Sequence, residues 1–438
     1  MLSFIIVILA GSALLSLPIS SASGKAVPYI DALFTATSAT CVTGLMTLPV
    51  ISTWSIFGQI VILILIQVGG LGVITVMSGV MLVLHRKMGL GDRMLVQDAF
   101  NLNSMSGLTV FIRKVIIGTL AIESAGALLY MPVFVRDFGA RGIWISVFNS
   151  ISAFCNAGID IVSENSLCDY ATNPLINTVT CLLIILGGIG YIVWWDVLRV
   201  MQVKKINSRQ RFNRLTLHSK LAIVVTLILI FSGGVLFLLF EYNNPDTIGS
   251  YSLFDKIQVS LFQSVTTRTA GFSTIPQQNL TDASAVTSLL LMFIGGSPVG
   301  TAGGVKTVTI AVLVASTVAT LKSKERSSMF GRSLTAQALH KAVAVTLIGF
   351  AIVFVATLML MATTDTPALD ILYETVSAGA TVGLSRDLTP YLNTAGKLII
   401  TVSMYLGRVG PISLLIAFNT KKVSHSIIKN PTEDISVG

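Results

Sequence analysis

Four stretches of this chain combine small and hydroxyl-bearing residues with a closing glycine: SATCVTGL (38–45), SAFCNAG (152–158), TTRTAGF (266–272) and SAGATVGL (377–384). The chemistry open to them is main-chain chemistry. A chain that leaves a short helix in an extended or left-handed conformation turns its carbonyls outward, and glycine enters that region without steric cost. Carbonyls arranged around an axis replace the hydration shell of a cation without placing fixed charge in its path. The candidate ligands are the carbonyls of Val42, Thr43 and Gly44, of Asn156, Ala157 and Gly158, of Thr269, Ala270 and Gly271, and of Thr381, Val382 and Gly383. Any one copy taken alone reads better as a glycine cap on a helix end. Four in register do not.

The elements that must hold these loops repeat with them. Each loop follows a short apolar run that carries an aromatic residue: Phe34, Phe148, Phe262 and Tyr373. The closing glycines are 114, 113 and 112 residues apart, which indicates internal repetition. Around each loop stand two apolar runs, so the unit is helix, half-membrane loop, helix. The units are 1–85, 109–202, 218–321 and 334–419, with a tail at 420–438. Irregular backbone at membrane depth is tolerated only where protein or water covers it, so the four loops are expected to meet on one axis. The expected fold is an all-α polytopic membrane protein: four such repeats in pseudo-fourfold arrangement around a central pore, with eight full spans.

Composition agrees with a membrane chain. Of 438 residues, 53% are hydrophobic and 11% charged, against roughly 25% charged in an average soluble domain. The net charge of +9 is concentrated rather than spread. Twenty of the 29 Lys and Arg residues fall in 86–114, 199–220, 322–341 and 421–429. Such clustering follows the positive-inside rule and argues against nucleic-acid binding, and it puts these segments and both termini in the cytoplasm. The first 18 residues match a signal peptide in length but have no basic start, so they read as the first span. Cys41, Cys155, Cys168 and Cys181 form no metal or disulfide pattern, and Cys41 and Cys155 read as small packed loop residues.

The return helices carry Gly69-Gly70, Gly187-Gly188, Gly295-Gly296 and, in the fourth place, Gly407-Arg408. Small residues that let helices pack closely explain the first two. The third opens a stretch, 295–304, whose glycines and Pro298 interrupt a helix. Lys306 and Arg408 lie close to the third and fourth copies, and intramembrane charge is costly and usually functional.

Taken together, these motifs, with MFIGGSPVGTAGGVKT (292–307) and GRVGP (407–411), resemble the Trk/Ktr/HKT cation transporter superfamily, closest to its bacterial Ktr potassium-uptake membrane subunits. The resemblance covers essentially the whole chain. It implies a single-chain pore for K+, with Na+ as the further candidate ion, bound through filter carbonyls. It also implies a homodimer and control by a cytosolic nucleotide-binding ring of the KtrA-like, RCK type. In that superfamily serine at the first filter glycine goes with sodium preference, so Gly44 implies potassium. The loops lack a full TVGYG, which implies fewer ordered carbonyl rings. Residues Gly295, Gly296, Ser297, Pro298, Gly300, Thr301, Gly303 and Gly304 match the family's intramembrane gating loop. Lys306 and Arg408 are then expected to act with it, Arg408 by holding loop carbonyls. Snorkelling of Lys306 and a purely structural bond from Arg408 stay open.

Arg268 is expected to point into an acidic or carbonyl cluster behind the third loop, with Glu374 a conceivable partner. Asp31 and Asp370 read as N-caps of their short helices. An intramembrane enzyme would need paired acids or a nucleophile set in the spans, whereas His85, His218, His340 and His425 all fall at expected cytoplasmic ends. A receptor or scaffold would not need four glycine-closed loops. No cofactor is expected in this chain, and nucleotide control would come through the partner, docked on 204–214 and 322–332, where anionic lipid is an equal candidate.

Overall fold

In hydrocarbon a backbone must satisfy its own polar groups, so long apolar runs fold as helices. The computed structural model describes residues 2–83, 89, 108–203, 207–324 and 326–410, and regular structure there is helical apart from one small hairpin. In chain order the first unit has α1 (Leu2–Leu15), the short α2 (Tyr29–Cys41), α3 (Val50–Thr53), α4 (Ile56–Leu71) and α5 (Val73–Val83). The second has α6 (Leu108–Phe138), α7 (Arg141–Cys155), α8 (Pro174–Gly188) and α9 (Tyr191–Met201). A linker helix α10 (Ser208–Arg214) leads to α11 (Leu217–Glu241), α12 (Leu253–Thr266), α13 (Asp282–Phe293) and α14 (Thr307–Leu321). After the hairpin β1 (Ser328–Met329) and β2 (Arg332–Ser333) come α15 (Ala336–Met361), α16 (Ala368–Gly379) and α17 (Thr394–Val409).

Several helix starts have a local cause. Ser55, Thr216, Thr281, Thr335 and Asn393 cap α4, α11, α13, α15 and α17 by accepting a hydrogen bond from a first-turn N–H. Pro174 opens α8 at a position where its missing N–H costs nothing. The short helices α2, α7, α12 and α16 are buried in the middle, with Phe34, Phe148, Phe262 and Tyr373 all fully enclosed. The outer faces are apolar and exposed, as at Leu227, Ile228 and Phe231 on α11 and Leu347, Phe350 and Phe354 on α15. Long apolar helices whose outward faces expose large apolar side chains make this a membrane protein.

One expectation needs correction. The first and second return segments are not single helices. Gly72 (φ 84°) separates α4 from α5, and Gly190 (φ 94°) separates α8 from α9, which are bent by 97°. A break was expected in the third unit alone, yet glycine at positive φ interrupts the earlier returns as well. Among the described residues α6, α11 and α15 are long and apolar enough to cross a membrane, the bent pair α8 and α9 makes a fourth, and α1, α4, α13 and α14 are shorter apolar helices. The segments 84–88, 90–107 and 411–438, with the basic run 86–114 in part, His85, His425 and the tail, lie outside the described residues.

Candidate functional site

The four loops share one backbone course. After their short helices Val42, Asn156, Thr269 and Thr381 take φ of 55°, 60°, 65° and 52°, and two residues on Gly44, Gly158, Gly271 and Gly383 take 101°, 63°, 83° and 97°. Three loops are braced alike. Ser38, Ser152 and Ser377 accept through the backbone carbonyl from Thr43, Ala157 and Val382 N–H (all 2.8 Å). Their hydroxyls accept from Gly44, Ile159 and Gly383 N–H at 3.0, 3.1 and 3.0 Å. In the third loop Val265 stands at that place, and the hydroxyl of Thr266 instead donates to Phe272 O (2.5 Å). The serine braces went unnoticed in the sequence, although the shared six-residue spacing of Ser38, Ser152 and Ser377 from the glycine was a signal.

Each glycine stands against the next loop. A Cβ on Gly44 would lie 2.5 Å from Ala157 O, one on Gly158 2.6 Å from Ala270 O, and one on Gly271 2.6 Å from Val382 O. One on Gly383 would lie 2.2 Å from Thr43 O, and the series closes. The flanking Val42, Thr43, Asn156, Ala157, Thr269, Ala270, Thr381 and Val382 are all buried. A cavity of about 330 Å³ opens above, lined by all four glycines and by Asp160, Glu164 and Asp387, with no basic residue among the described residues of its wall. Asp160 accepts from Val162 N–H (3.2 Å), and burial pushes its carboxyl up to about 6.

Three of the return glycines explain why the loops fit so closely. A Cβ on Gly69, Gly187 or Gly407 would sit 2.0, 1.9 or 2.2 Å from Thr40 O, Phe154 O or Gly379 O, in each case four residues before the loop glycine. Gly295 does not follow this rule. It opens the break between α13 and α14, where Gly295 N–H donates to Val305 O (3.0 Å). The break then runs across the inner ends of the loops. Ser297 and Thr301 N–H donate to Gly188 O (2.8 Å) and Gly187 O (3.1 Å), Thr301 Oγ1 to Phe154 O (3.1 Å), and Gly303 N–H to Thr269 Oγ1 (3.2 Å). Gly303 also lies against Ala380 O and Thr381. Gly296 lies against Ala302 and Gly188 O, Val299 O accepts from Tyr191 N–H (3.0 Å), and Gly300 lies against Gly187 O. Pro298 O lies beside Gly190, and Gly304 (φ 65°) turns the chain back against Gly295.

Arg408 and Lys306 both sit on this segment. Arg408 donates from Nη1 to Thr301 O and from Nη2 to Gly69 O, both at 2.5 Å, so one guanidinium ties the break to the first unit. Lys306 donates from Nζ to Ala302 O (2.6 Å) and Gly303 O (3.2 Å). Three consecutive carbonyls, 301 to 303, are thus each taken by a tethered cation.

Residues 3–429 match TrkH, cation transport protein. The chain belongs to the TrkH family. It is 39% identical to the Ktr system potassium uptake protein B of Bacillus subtilis over 438 residues, covering 100% of this chain and 95% of that protein. It is 38% identical to the potassium/sodium uptake protein NtpJ of Enterococcus hirae, covering 99% of this chain and 95% of that protein. The crystal structure of the potassium transporter TrkH from Vibrio parahaemolyticus matches in fold with a TM-score of 0.74, at 18% identity, over 95% of this chain and 84% of that one. Cation transport is the family's business, and an enzyme reading falls away.

Within this TrkH-family chain several charged residues are placed otherwise than expected. Arg268 does not meet Glu374: its guanidinium donates to Thr226 Oγ1 (3.3 Å) and Gly295 O (3.5 Å), behind the third loop and beside the break. Glu374 instead accepts from Ser385 Oγ (2.6 Å) and from Thr389 Oγ1, bracing the fourth loop. Asp31 and Asp370 are not N-caps, because Pro28 and Pro367 hold those positions and the acids fall in the first turn. There they pair with Lys397 (2.5 Å) and Arg386 (2.6 Å). Lys306 does not snorkel, since its ammonium turns back onto the loop. Another unforeseen contact is that of Glu123, buried on α6, which accepts from Gln67 Nε2 (3.2 Å) while Gln67 Oε1 accepts from Cys155 Sγ (3.5 Å).

Proposed function

We propose that this chain is the ion-translocating subunit of a potassium uptake system, in which K+, and Na+ less readily, crosses between the four glycine loops and is gated by the segment 295–304. The observation that carries the reading is the closed order of contacts, Gly44 to the second loop, Gly158 to the third, Gly271 to the fourth and Gly383 back to the first. Side chains at those points would fill the space, so main-chain oxygen is the group left to face a passing ion. The short helices preceding the loops each add roughly half a negative charge at their C-terminal ends. The acidic mouth, Asp160, Glu164 and Asp387, favours cations before they enter.

In this reading the units form a pseudo-fourfold set of eight crossings with basic linkers and both termini in the cytoplasm. The break closes the inner end of the path, with Arg408 as its latch. Relatives named for a Ktr system support a multi-component assembly, and we assign this chain its membrane part, as a homodimer with a cytosolic nucleotide-binding ring. Expression in a bacterium that lacks potassium uptake tests the reading. Growth at low potassium and potassium influx should appear, and Gly44→Ser should move preference toward sodium. Failure of both, with protein present in the membrane, overturns it.

A further inference from the structure

The cytoplasmic linkers of this chain build an object that the transport path does not use. Helix α10 and the hairpin, distant in sequence, are clamped together. Phe212 and Phe330 meet edge to face with centroids 5.9 Å apart. Lys220 lies over both rings, at 5.6 and 6.0 Å, and donates from Nζ to Asn213 O (2.9 Å). Asn207 and Gln210 form a reciprocal capping box at the start of α10. The hairpin turns at Phe330 and Gly331, both at positive φ, which matches the twist of a tight two-residue turn.

The outward side of this platform is cationic. Arg209, Arg214, Lys322, Lys324, Arg326 and Arg332 are exposed, and none makes an ion pair among the described residues. Segment 199–220 contains no acidic residue and 322–341 contains Glu325 alone. Depth selects the partner. Val314, Val318 and Leu321 form an exposed apolar stripe along α14, with Leu321 80% exposed, and Lys322 is the next residue. At ~1.5 Å per helical residue, the cations begin about one turn from side chains that need acyl chains around them. They stand at headgroup height rather than out in the cytosol.

We propose that α10 and the hairpin form a binding surface for anionic phospholipid headgroups of the inner leaflet, phosphatidylglycerol being the test ligand. Exposed arginines suit phosphate because the guanidinium fork donates two parallel hydrogen bonds. Basic residues at this height gain from the negative surface potential of the leaflet, and the gain falls with salt. The assignment stands without the pore reading and rests on the cytoplasmic placement of the basic linkers proposed above.

The experiment uses the full chain purified in detergent and mixed with equal amounts of phosphatidylglycerol and phosphatidylcholine, with bound lipid counted by native mass spectrometry. Wild type should retain the anionic lipid on the order of tenfold over the zwitterionic one. The variant Arg209→Gln/Arg214→Gln/Arg326→Gln/Arg332→Gln should lose that preference while unfolding at the same temperature in phosphatidylcholine alone. Should the variant fail to fold, the wild-type preference is followed instead from low to high salt, where it should decline. Equal retention of the two lipids, a preference untouched by the substitutions or by salt, or tight capture of an acidic soluble protein without lipid preference would each overturn the assignment.

Discussion

Replacing Gly383 by alanine tests the closure of the glycine loops directly. The residue has φ 97°, and its added Cβ would lie 2.2 Å from Thr43 O and 2.9 Å from the Gly44 Cα, both backbone atoms of the first loop. Holding a residue with a Cβ at such a φ costs about 1–2 kcal/mol. Pushing a backbone carbonyl more than an ångström out of a packed loop costs a further ~1–3 kcal/mol. If about 3 kcal/mol of this falls on the conducting arrangement, influx drops roughly 100-fold, at 1.4 kcal/mol per decade. Gly139→Ala supplies the control, because Gly139 also has positive φ (59°) and no described residue stands within 4 Å of its Cβ position. It should lose a little thermal stability and keep its influx. The assay is potassium uptake per molecule of protein in the membrane, for both variants side by side. Normal influx in Gly383→Ala, or an equal loss in Gly139→Ala, would refute the argument that contact between loops sets the path.

Arg408→Gln removes the charge-assisted bonds to Thr301 O and Gly69 O, each worth about 1.5–3 kcal/mol, and should raise resting influx on the order of tenfold; no rise would end its role as a latch. Ser377→Ala leaves the Gly383 N–H without its acceptor, at about 1–2 kcal/mol, and should lower the ratio of potassium to sodium uptake measured with both ions present. Burial raises the Asp160 carboxyl to about 6, so the proton is held below that pH and leaves above it. Ionisation at the mouth should therefore strengthen the apparent affinity for external potassium between pH 5 and 7, a change that Asp160→Asn should abolish, while native stability falls as pH rises from about 4 to 6 because the unfolded chain releases its proton first. Lys397→Ala strands the nearly buried Asp31 and should cost about 3–5 kcal/mol in thermal unfolding, with Asp31→Asn/Lys397→Ala recovering part of the loss.

The sequence by itself determined the class and the family, because both rest on local signals. Apolar runs and clustered basic residues define a membrane chain without reference to any contact. The glycine at the close of each loop is equally local: a backbone that must leave a helix at positive φ selects it, so the near-constant spacing was visible at once. The resemblance to the Trk/Ktr/HKT superfamily rested on those same residues, and the family match over 3–429 agrees with it.

What the tertiary structure decided is which group answers which. Asp31 and Asp370 looked like caps because an acid at a helix start is common, but the prolines before them take the cap positions and leave the acids to Lys397 and Arg386, the first pair 366 residues apart. Arg268 finds a carbonyl and a hydroxyl rather than Glu374 for the same reason: a charge in a dry interior takes whatever oxygen the packing brings, and sequence separation carries no record of that. The breaks at Gly72 and Gly190 escaped because glycine in an apolar run packs and bends with the same residue type, and only the φ adopted against neighbouring helices separates the two. Order around the loops, each glycine against one particular carbonyl of the next unit, is likewise a property of the packed chain, since it exists only when four distant segments are brought within van der Waals reach.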